Sequence, residues 1–142
     1  MKKMNKKGFT LVELLAVIVI LAVIILIAVT AVIPRMNKAK RKAFEDEAMA
    51  LIKGAEEYVV LEQSGVWPTK VALTTIIGSD KYVEIKNGKT YTGCVKYDST
   101  NKVAKIWIHD GSKYQIVGKS ASEIQSAGAA DYDSTNIGTA CD

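Results

Sequence analysis

The chain has 142 residues, of which 49% are apolar and 24% are charged, and its formal net charge is +4. This length allows one modest domain with an appendage. Four of the 19 basic residues lie within the first eight positions, and the rest equal the 15 acidic residues in number. The composition therefore does not predict a nucleic-acid-binding domain, which would carry its positive charge on the folded surface.

An apolar run without a charge extends over the 20 residues from Leu14 to Ile33. That is the length that a helix needs to cross about 30 Å of hydrocarbon, so the run predicts a transmembrane helix. A secretory signal peptide also begins with lysines, but its apolar core has only about 7–15 residues before a small-residue cleavage site. The small residues of "AVTAVIP" leave ordinary cleavage there open as an alternative.

The stretch before this run, KKGFTLVE from Lys6 to Glu13, resembles the N-terminus of the type IV pilin and pseudopilin family. The resemblance covers roughly the first 50 residues. It implies that a prepilin peptidase cleaves between Gly8 and Phe9 and that the amino group of Phe9 is then methylated. It also implies a pilus assembly ATPase and an inner-membrane platform as partners. The protomer is expected in the cell membrane and then in a homo-oligomeric helical filament on the extracellular surface.

Glu13 is a carboxylate at the start of a segment expected in lipid. On a helix it shares a face with Phe9, four residues earlier, and a carboxylate in the first turn is favoured by the helix dipole. In a packed helix bundle an unpaired buried charge costs several kcal/mol, so a partner is required. The resemblance implies that this partner is the N-terminal amine of a neighbouring subunit, so that Glu13 sets the register of assembly. The alternative is that Glu13 lies at the membrane surface and caps its own helix.

Three parts follow along the chain. Residues 1–8 are predicted to be the cleaved leader, 9–61 one long helix, and 62–142 a globular head. The helix is transmembrane and filament-forming over roughly 9–33 and amphipathic over 34–61, where apolar residues recur at helical spacing. The predicted fold class is α+β, with the amphipathic half packed on a small antiparallel sheet as in the type IV pilin fold.

Pro34 interrupts this helix. It has no amide proton for the helical hydrogen bond to the carbonyl of Thr30, and its ring crowds that carbonyl, so a kink is predicted there.

In the head, the hydrophobic period shifts towards two after a linker, rich in turn residues, over 62–80. The strand candidates are 81–86, 90–97, 102–109 and 113–117. Short polar turns between them predict an antiparallel meander. Within the third strand Ile106 and its alternate neighbours should face the helix, which places Trp107 on the outer face. There Trp107 is either a stacking site for a sugar or base, or is covered by another segment.

A basic run, Lys38 to Lys42, is followed closely by the acidic run Glu45 to Glu47. Lys42 with Asp46 and Arg41 with Glu45 are four apart, so they can pair within one helix. The alternative is that the basic and acidic bands meet between staggered subunits and make assembly sensitive to salt.

The chain has two cysteines, Cys94 and Cys141, and a chain exported from the cytoplasm can keep them paired. Such a bond would draw the C-terminal residues across the outer face of the sheet. Free buried thiols are the alternative. The resemblance agrees with the bond, because many pilins have a C-terminal loop bounded by a disulfide.

The C-terminal region carries two further expectations. Major pseudopilins often hold calcium in a C-terminal loop, so the resemblance makes Asp131, Asp133 and Asp142 candidate ligands, although no EF-hand pattern is present. The sequence SASE at Ser120 to Glu123 predicts the cap of a short helix.

No catalytic or cofactor-binding set can be assembled around the single histidine, so neither an enzyme nor a cofactor is predicted. The predicted function is a structural subunit, the major pilin, of a type IV pilus that serves adhesion, motility or related surface functions. One alternative is a pseudopilin of a type II secretion or competence DNA-uptake system, and in the latter case alone is DNA an expected partner. A second alternative is a membrane-anchored binding module that does not polymerise.

Overall fold

The computed structural model describes residues 8–86, 88–133 and 141. The chain divides into two compact units between Ala39 and Lys40. The long helix α1, Leu11–Glu62, supplies residues to both units. We call the unit from Lys40 onward the head.

The first unit is the apolar part of α1. Its aliphatic side chains are not covered by any of the described residues, and every described residue from Gly8 to Met36 is exposed. The helix is long and apolar enough to cross a membrane. It continues without interruption through Pro34, and the Thr30 hydroxyl donates a hydrogen bond to the Ile27 carbonyl at 2.8 Å. The kink at Pro34 stays a prediction.

The described residues of the head form five strands and two short helices in addition to the end of α1. Its elements in chain order are β1 Val71–Ala72, α2 Leu73–Ile76, β2 Thr92–Asp98, β3 Val103–His109, β4 Tyr114–Lys119, α3 Ala121–Ala127 and β5 Ala130–Asp131. The strands form one antiparallel sheet in the order of the chain. An apolar N-terminal helix followed by a small antiparallel sheet is an α+β, type IV pilin-like arrangement.

The predicted meander is confirmed for its last three strands, and the strand predicted over 81–86 is wrong. In the structure the edge of β2 pairs with β1, where Val71 lies opposite Val95. The linker predicted over 62–80 therefore contains a strand and a helical turn. Segment 81–86 makes a single bridge, between Val83 and Ile77, and its apolar side chains pack against the core. The apolar residues that suggested a strand are used for packing on the core rather than for strand pairing, which explains the error.

The core lies between α1 and one face of the sheet. The helix buries a stripe of residues at the spacing of three and four that the sequence predicts. They are Phe44, Ala48, Leu51, Ile52, Ala55 and Val59. From β3, Ala104, Ile106 and Ile108 are buried in the same cluster, as predicted. The helix thus covers the inner face of the sheet, and the outer face must be covered by something else.

A close approach brings α1 onto the segment after α2. A Cβ atom placed on Gly54 would lie 2.4 Å from Cγ2 of Val83 and 3.4 Å from Cβ of Tyr82. No side chain fits there without a shift of the neighbouring segment. Glycine at this position therefore sets how closely the helix and the segment pack.

Two turns of the head are fixed by aspartates. Asp98 accepts hydrogen bonds from the backbone of Thr100 and Asn101 and from the Asn101 side chain, and pairs with Lys105 at 3.0 Å. The side chains of Asn101 and Lys105 together with these amides hold the pKa of Asp98 well below its usual value. Asp110 accepts three backbone N–H groups in the next turn.

The cap predicted at Ser120 is confirmed. Its backbone N–H and its hydroxyl both donate to the Glu123 carboxylate at 2.8 Å, which forms a capping box at the start of α3. These bonds lower the pKa of Glu123.

Both edges of the sheet are short. The edge strands β1 and β5 have two residues each, whereas the three central strands have six or seven.

Candidate processing and assembly site

The predicted cleavage position lies just outside the first helix. Gly8, Phe9 and Thr10 precede the first turn of α1, and all three are exposed. Phe9 exposes 87% of its surface. A peptide bond in an exposed, non-helical segment is the kind of bond that a protease can reach.

Thr10 and Glu13 form an N-terminal capping box. The Glu13 carboxylate accepts hydrogen bonds from the backbone N–H and from the hydroxyl of Thr10, each at 3.0 Å. In return the Glu13 backbone N–H donates to the Thr10 hydroxyl oxygen at 3.3 Å. This reciprocal pattern satisfies donors that the first turn of a helix otherwise leaves free.

The box explains why α1 begins at Leu11. Glu13 is predicted from the sequence whereas Thr10 is not, although the T-x-x-E spacing before an apolar run is a readable signal for a capping box. Within the single chain, Glu13 therefore has the capping role that was kept as the alternative. A partner in a neighbouring subunit stays a prediction.

The site opens onto a surface that nothing in the described chain covers. From Leu11 to Ile33 the large aliphatic side chains expose between 45% and 82% of their area. Apolar surface on this scale marks a segment that lies in lipid or against partner helices.

Comparison with known families bears directly on these residues. The chain carries the prokaryotic N-terminal methylation motif. The match covers residues 3–29, and this motif is the class III signal of type IV pilins and pseudopilins. It includes Gly8, Phe9, Thr10 and Glu13. No curated protein and no solved structure gives a significant match to the chain.

The motif supports a type IV pilin-like or pseudopilin-like protein and points to a structural role. It implies processing by a prepilin peptidase and membrane-associated assembly. Together with the apolar start of α1, it indicates anchoring in the membrane. The match ends before the head, so the head carries no family assignment of its own.

The predicted disulfide is present. Cys94 of β2 is bonded to Cys141, which is 47 positions later in the chain. Cys94 lies directly opposite Trp107 of β3, so both side chains are on the outer face of the sheet, as expected. The Lys70 side chain donates a hydrogen bond to the Cys141 carbonyl. The C-terminus is thus held on the outer face.

Trp107 is not an open stacking platform. Trp107 and its neighbours on the outer face of β3, Lys105 and His109, are half-buried. A Cβ on Gly118 would lie only 3.0 Å from the indole. The Lys96 ammonium lies 5.7 Å from the centre of the ring. Nearby, Tyr132 stacks on His109 at 5.1 Å between ring centres. Tyr132 and Cys141 therefore both contact residues of this face, and residues 134–140 between them lie outside the described chain.

The calcium candidates divide between described and undescribed residues. Asp131 is bonded to the Arg41 guanidinium at 2.8 Å, and Asp142 lies outside the described residues. Residues 8–86, 88–133 and 141 contain no group of three or more His, Cys, Asp or Glu side chains that could hold a metal ion.

Of the two ion pairs predicted within α1, one is confirmed. Lys42 and Asp46 lie 3.3 Å apart. The pair between Arg41 and Glu45 is wrong, because Arg41 turns to the C-terminal segment instead. There it donates to the Ala129 carbonyl and to Asp131.

Glu45 also makes a long-range contact. It is 8% exposed and accepts the Ala129 backbone N–H at 2.9 Å. Helical spacing alone gave no signal for either contact, since the partners are more than 80 residues away in the chain.

Proposed function

We propose that this protein is the major subunit of a type IV pilus, made as a membrane-anchored protomer and assembled through α1. The observation that carries the proposal is that the methylation motif leads directly into the apolar start of α1, where every described residue up to Met36 is exposed. The filament would serve adhesion, motility or a related surface function.

The physics of the uncovered helix limits what can drive assembly. In the membrane its side chains contact lipid, and in a fibre they would contact the helices of other copies. Lipid tails are about as apolar as leucine, so the exchange gains little hydrophobic free energy. Close packing and polar pairing must then select the correct neighbour, and the work of extraction falls to the assembly ATPase on its membrane platform.

Glu13 is the polar group placed to make that selection. Cleavage after Gly8 creates a positive α-amino group at Phe9, which is ionised near neutral pH. In a water-free bundle of helices the Glu13 carboxylate needs a partner of opposite charge. The amine of a neighbouring subunit meets that need at one stagger only, while Thr10 satisfies Glu13 in the isolated protomer.

The first experiment is N-terminal sequencing and intact-mass analysis of protein sheared from the cell surface. We expect a chain that begins with methylated Phe9 and gains two mass units on reduction of its disulfide. If no protein is sheared and the cells retain a chain beginning at Met1, the protein is a membrane-anchored module and the filament proposal is wrong.

Two variants separate the charge of Glu13 from its capping role. Glu13→Gln keeps an oxygen that can accept the Thr10 N–H but removes the charge, whereas Glu13→Ala removes both. In a filament subunit that requires the charge of Glu13, both variants are processed but yield no sheared filament. Filament from Glu13→Gln but not from Glu13→Ala would assign the requirement to the cap instead, and a monomeric anchor tolerates both variants. Glu84→Gln, an exposed acid elsewhere in the chain, is the matched control.

Fibre length distinguishes a pilus from the short fibre of a pseudopilin. Electron microscopy at native expression should show fibres that extend well beyond the cell envelope. Fibres confined to the envelope would favour a secretion or competence system.

A further inference from the structure

The acidic run of α1, Glu45 to Glu47, is engaged in contacts within the subunit. Asp46 pairs with Lys42, Glu45 accepts the Ala129 N–H, and Glu47 accepts a hydrogen bond from the Tyr91 hydroxyl. Glu45 is also buried and Glu47 is half-buried, so neither carboxylate lies on an open surface. A band formed by Glu45 to Glu47 is therefore not available to a neighbouring subunit, and any charge pairing between copies must involve other residues.

Of the five basic residues from Arg35 to Lys42, three form no ion pair with a described residue. They are exposed and follow the apolar part of α1. We call them the basic set: Arg35, Lys38 and Lys40. Their neighbours Arg41 and Lys42 are engaged inside the subunit. The basic set thus carries charge that no described acid compensates.

Three acidic side chains remain at the other end of the same helix. We call them the acidic set: Glu56, Glu57 and Glu62. All three are exposed, and none forms an ion pair with a described residue. Glu62 accepts a hydrogen bond from the neutral Tyr82 hydroxyl at 3.1 Å, which leaves its charge uncompensated. Lys53 lies one turn earlier on α1 but is not paired with any member of the set.

The acidic set differs from an ordinary solvated helix face because it is mixed with apolar and aromatic surface. Val60 and Leu61 expose 66% and 65% of their area between these acids. Glu57 and Glu62 also line an open cleft of about 580 Å³ with Tyr58 and Tyr82, whose rings meet edge to face. A cationic side chain with an aliphatic stem suits such a surface, since its stem packs on apolar groups while its head meets the acids.

We propose that the acidic set of one subunit binds the basic set of a second copy of this chain. The inference rests on the proposed function. Because the two sets are different surfaces, each subunit uses its acidic set for one neighbour and its basic set for another. Such a heterologous contact leaves one unpaired set at each end, so it propagates a filament when the rotation between neighbours does not close a ring. Screening over about 10 Å at 0.1 M salt makes this contact sensitive to ionic strength.

The test is a charge exchange in whole cells, read as the amount of filament sheared from the surface. The basic reversal is Arg35→Glu with Lys38→Glu, and the acidic reversal is Glu56→Lys with Glu57→Lys. Each reversal alone places like charges opposite each other and should lower the yield by about tenfold or more. The two reversals combined restore opposite charges and should recover most of the wild-type yield.

Two controls keep the result specific. Lys102→Glu and Glu84→Lys reverse exposed charges outside both sets and should leave the yield unchanged. The level of processed chain in the membrane should also be the same in every variant, which shows that the loss occurs in assembly.

Several outcomes overturn the inference. Undiminished yield in the single reversals, or losses that the combined variant does not recover, would exclude pairing between the two sets. If the basic reversal lowers the amount of processed chain in the membrane while the acidic reversal has no effect, the basic set binds anionic lipid head groups rather than a second copy of the chain. If the wild type yields no sheared filament, the proposed function itself fails, and the inference fails with it.

Discussion

Replacing Gly54 by alanine sets two opposing effects against each other in the head. Alanine is favoured over glycine within a helix by about 1 kcal/mol. Its Cβ, however, would lie 2.4 Å from Cγ2 of Val83, where an ordinary contact needs well over 3 Å. Valine is stiff at χ1, so Val83 cannot simply turn away. The contact must be relieved by a shift of the segment after α2.

Overpacking of this kind costs about 1–3 kcal/mol, which exceeds the gain in helix propensity. Gly54→Ala should therefore destabilise the head by about 1 kcal/mol, or about 4–8 °C in Tm for a domain of this size. In a Val83→Ala background the contact is absent. There Gly54→Ala should raise stability by up to about 1 kcal/mol, so the sign of the effect reverses.

Both tryptophans of the chain, Trp67 and Trp107, lie in the head, so intrinsic fluorescence reports its unfolding. The four proteins of the double-mutant cycle should be melted as full chains in detergent micelles. An increase in Tm for Gly54→Ala in both backgrounds would refute the close approach of α1 to Val83.

Three further predictions use the same fluorescence measurement. Reducing the bond between Cys94 and Cys141 should cost about 4 kcal/mol, because it releases a long loop in the unfolded chain. Asp98 has a lowered pKa in the folded head, so its contribution to stability is complete above the unfolded pKa of about 3.9 and is lost as the pH falls. Asp98→Asn should therefore flatten the decline of Tm between about pH 5 and pH 2. Glu45→Ala should cost about 1–3 kcal/mol, because it leaves the buried Ala129 N–H without its acceptor.

Each of these has a clear contrary result. An unchanged Tm on complete reduction would show that the C-terminus is held by other contacts. If the Tm of the wild type and the Tm of Asp98→Asn decline equally as the pH falls, Asp98 is not a source of the loss of stability in acid. Glu45→Gln keeps an acceptor oxygen and should be milder than Glu45→Ala; equal losses would contradict the role given to the hydrogen bond.

Periodicity was sufficient to predict α1, its buried face and the three central strands, because their burial follows a regular spacing. It failed at 81–86, where Tyr82, Val83 and Ile85 lie among charged residues and pack on the core, while the segment makes only a single bridge. It also missed β1, which has two residues and is defined by its pairing with β2. Such short elements depend on tertiary contacts that leave no local pattern.

The candidate site shows the same division. Gly8, Phe9 and Glu13 stand in a contiguous motif, so the sequence alone identified them, and the T-x-x-E box at Thr10 was readable as well. The partners of Arg41 and Glu45 were not readable, because helical spacing offered each a nearby charge. In the folded head, Arg41 and Glu45 both contact Ala129 of the C-terminal segment instead of each other. That contact depends on the tertiary fold and leaves no pattern in the helix sequence.

The two-residue strands at both edges of the sheet have a consequence for any ordered polymer of this chain. When copies are held side by side at high local concentration, long and exposed edge strands pair between molecules and form cross-β aggregates. Edges as short as β1 and β5 offer too few backbone groups for such recruitment. The head can therefore be crowded into a fibre while its sheet remains confined to one molecule, and misassembly through strand exchange is disfavoured from the start.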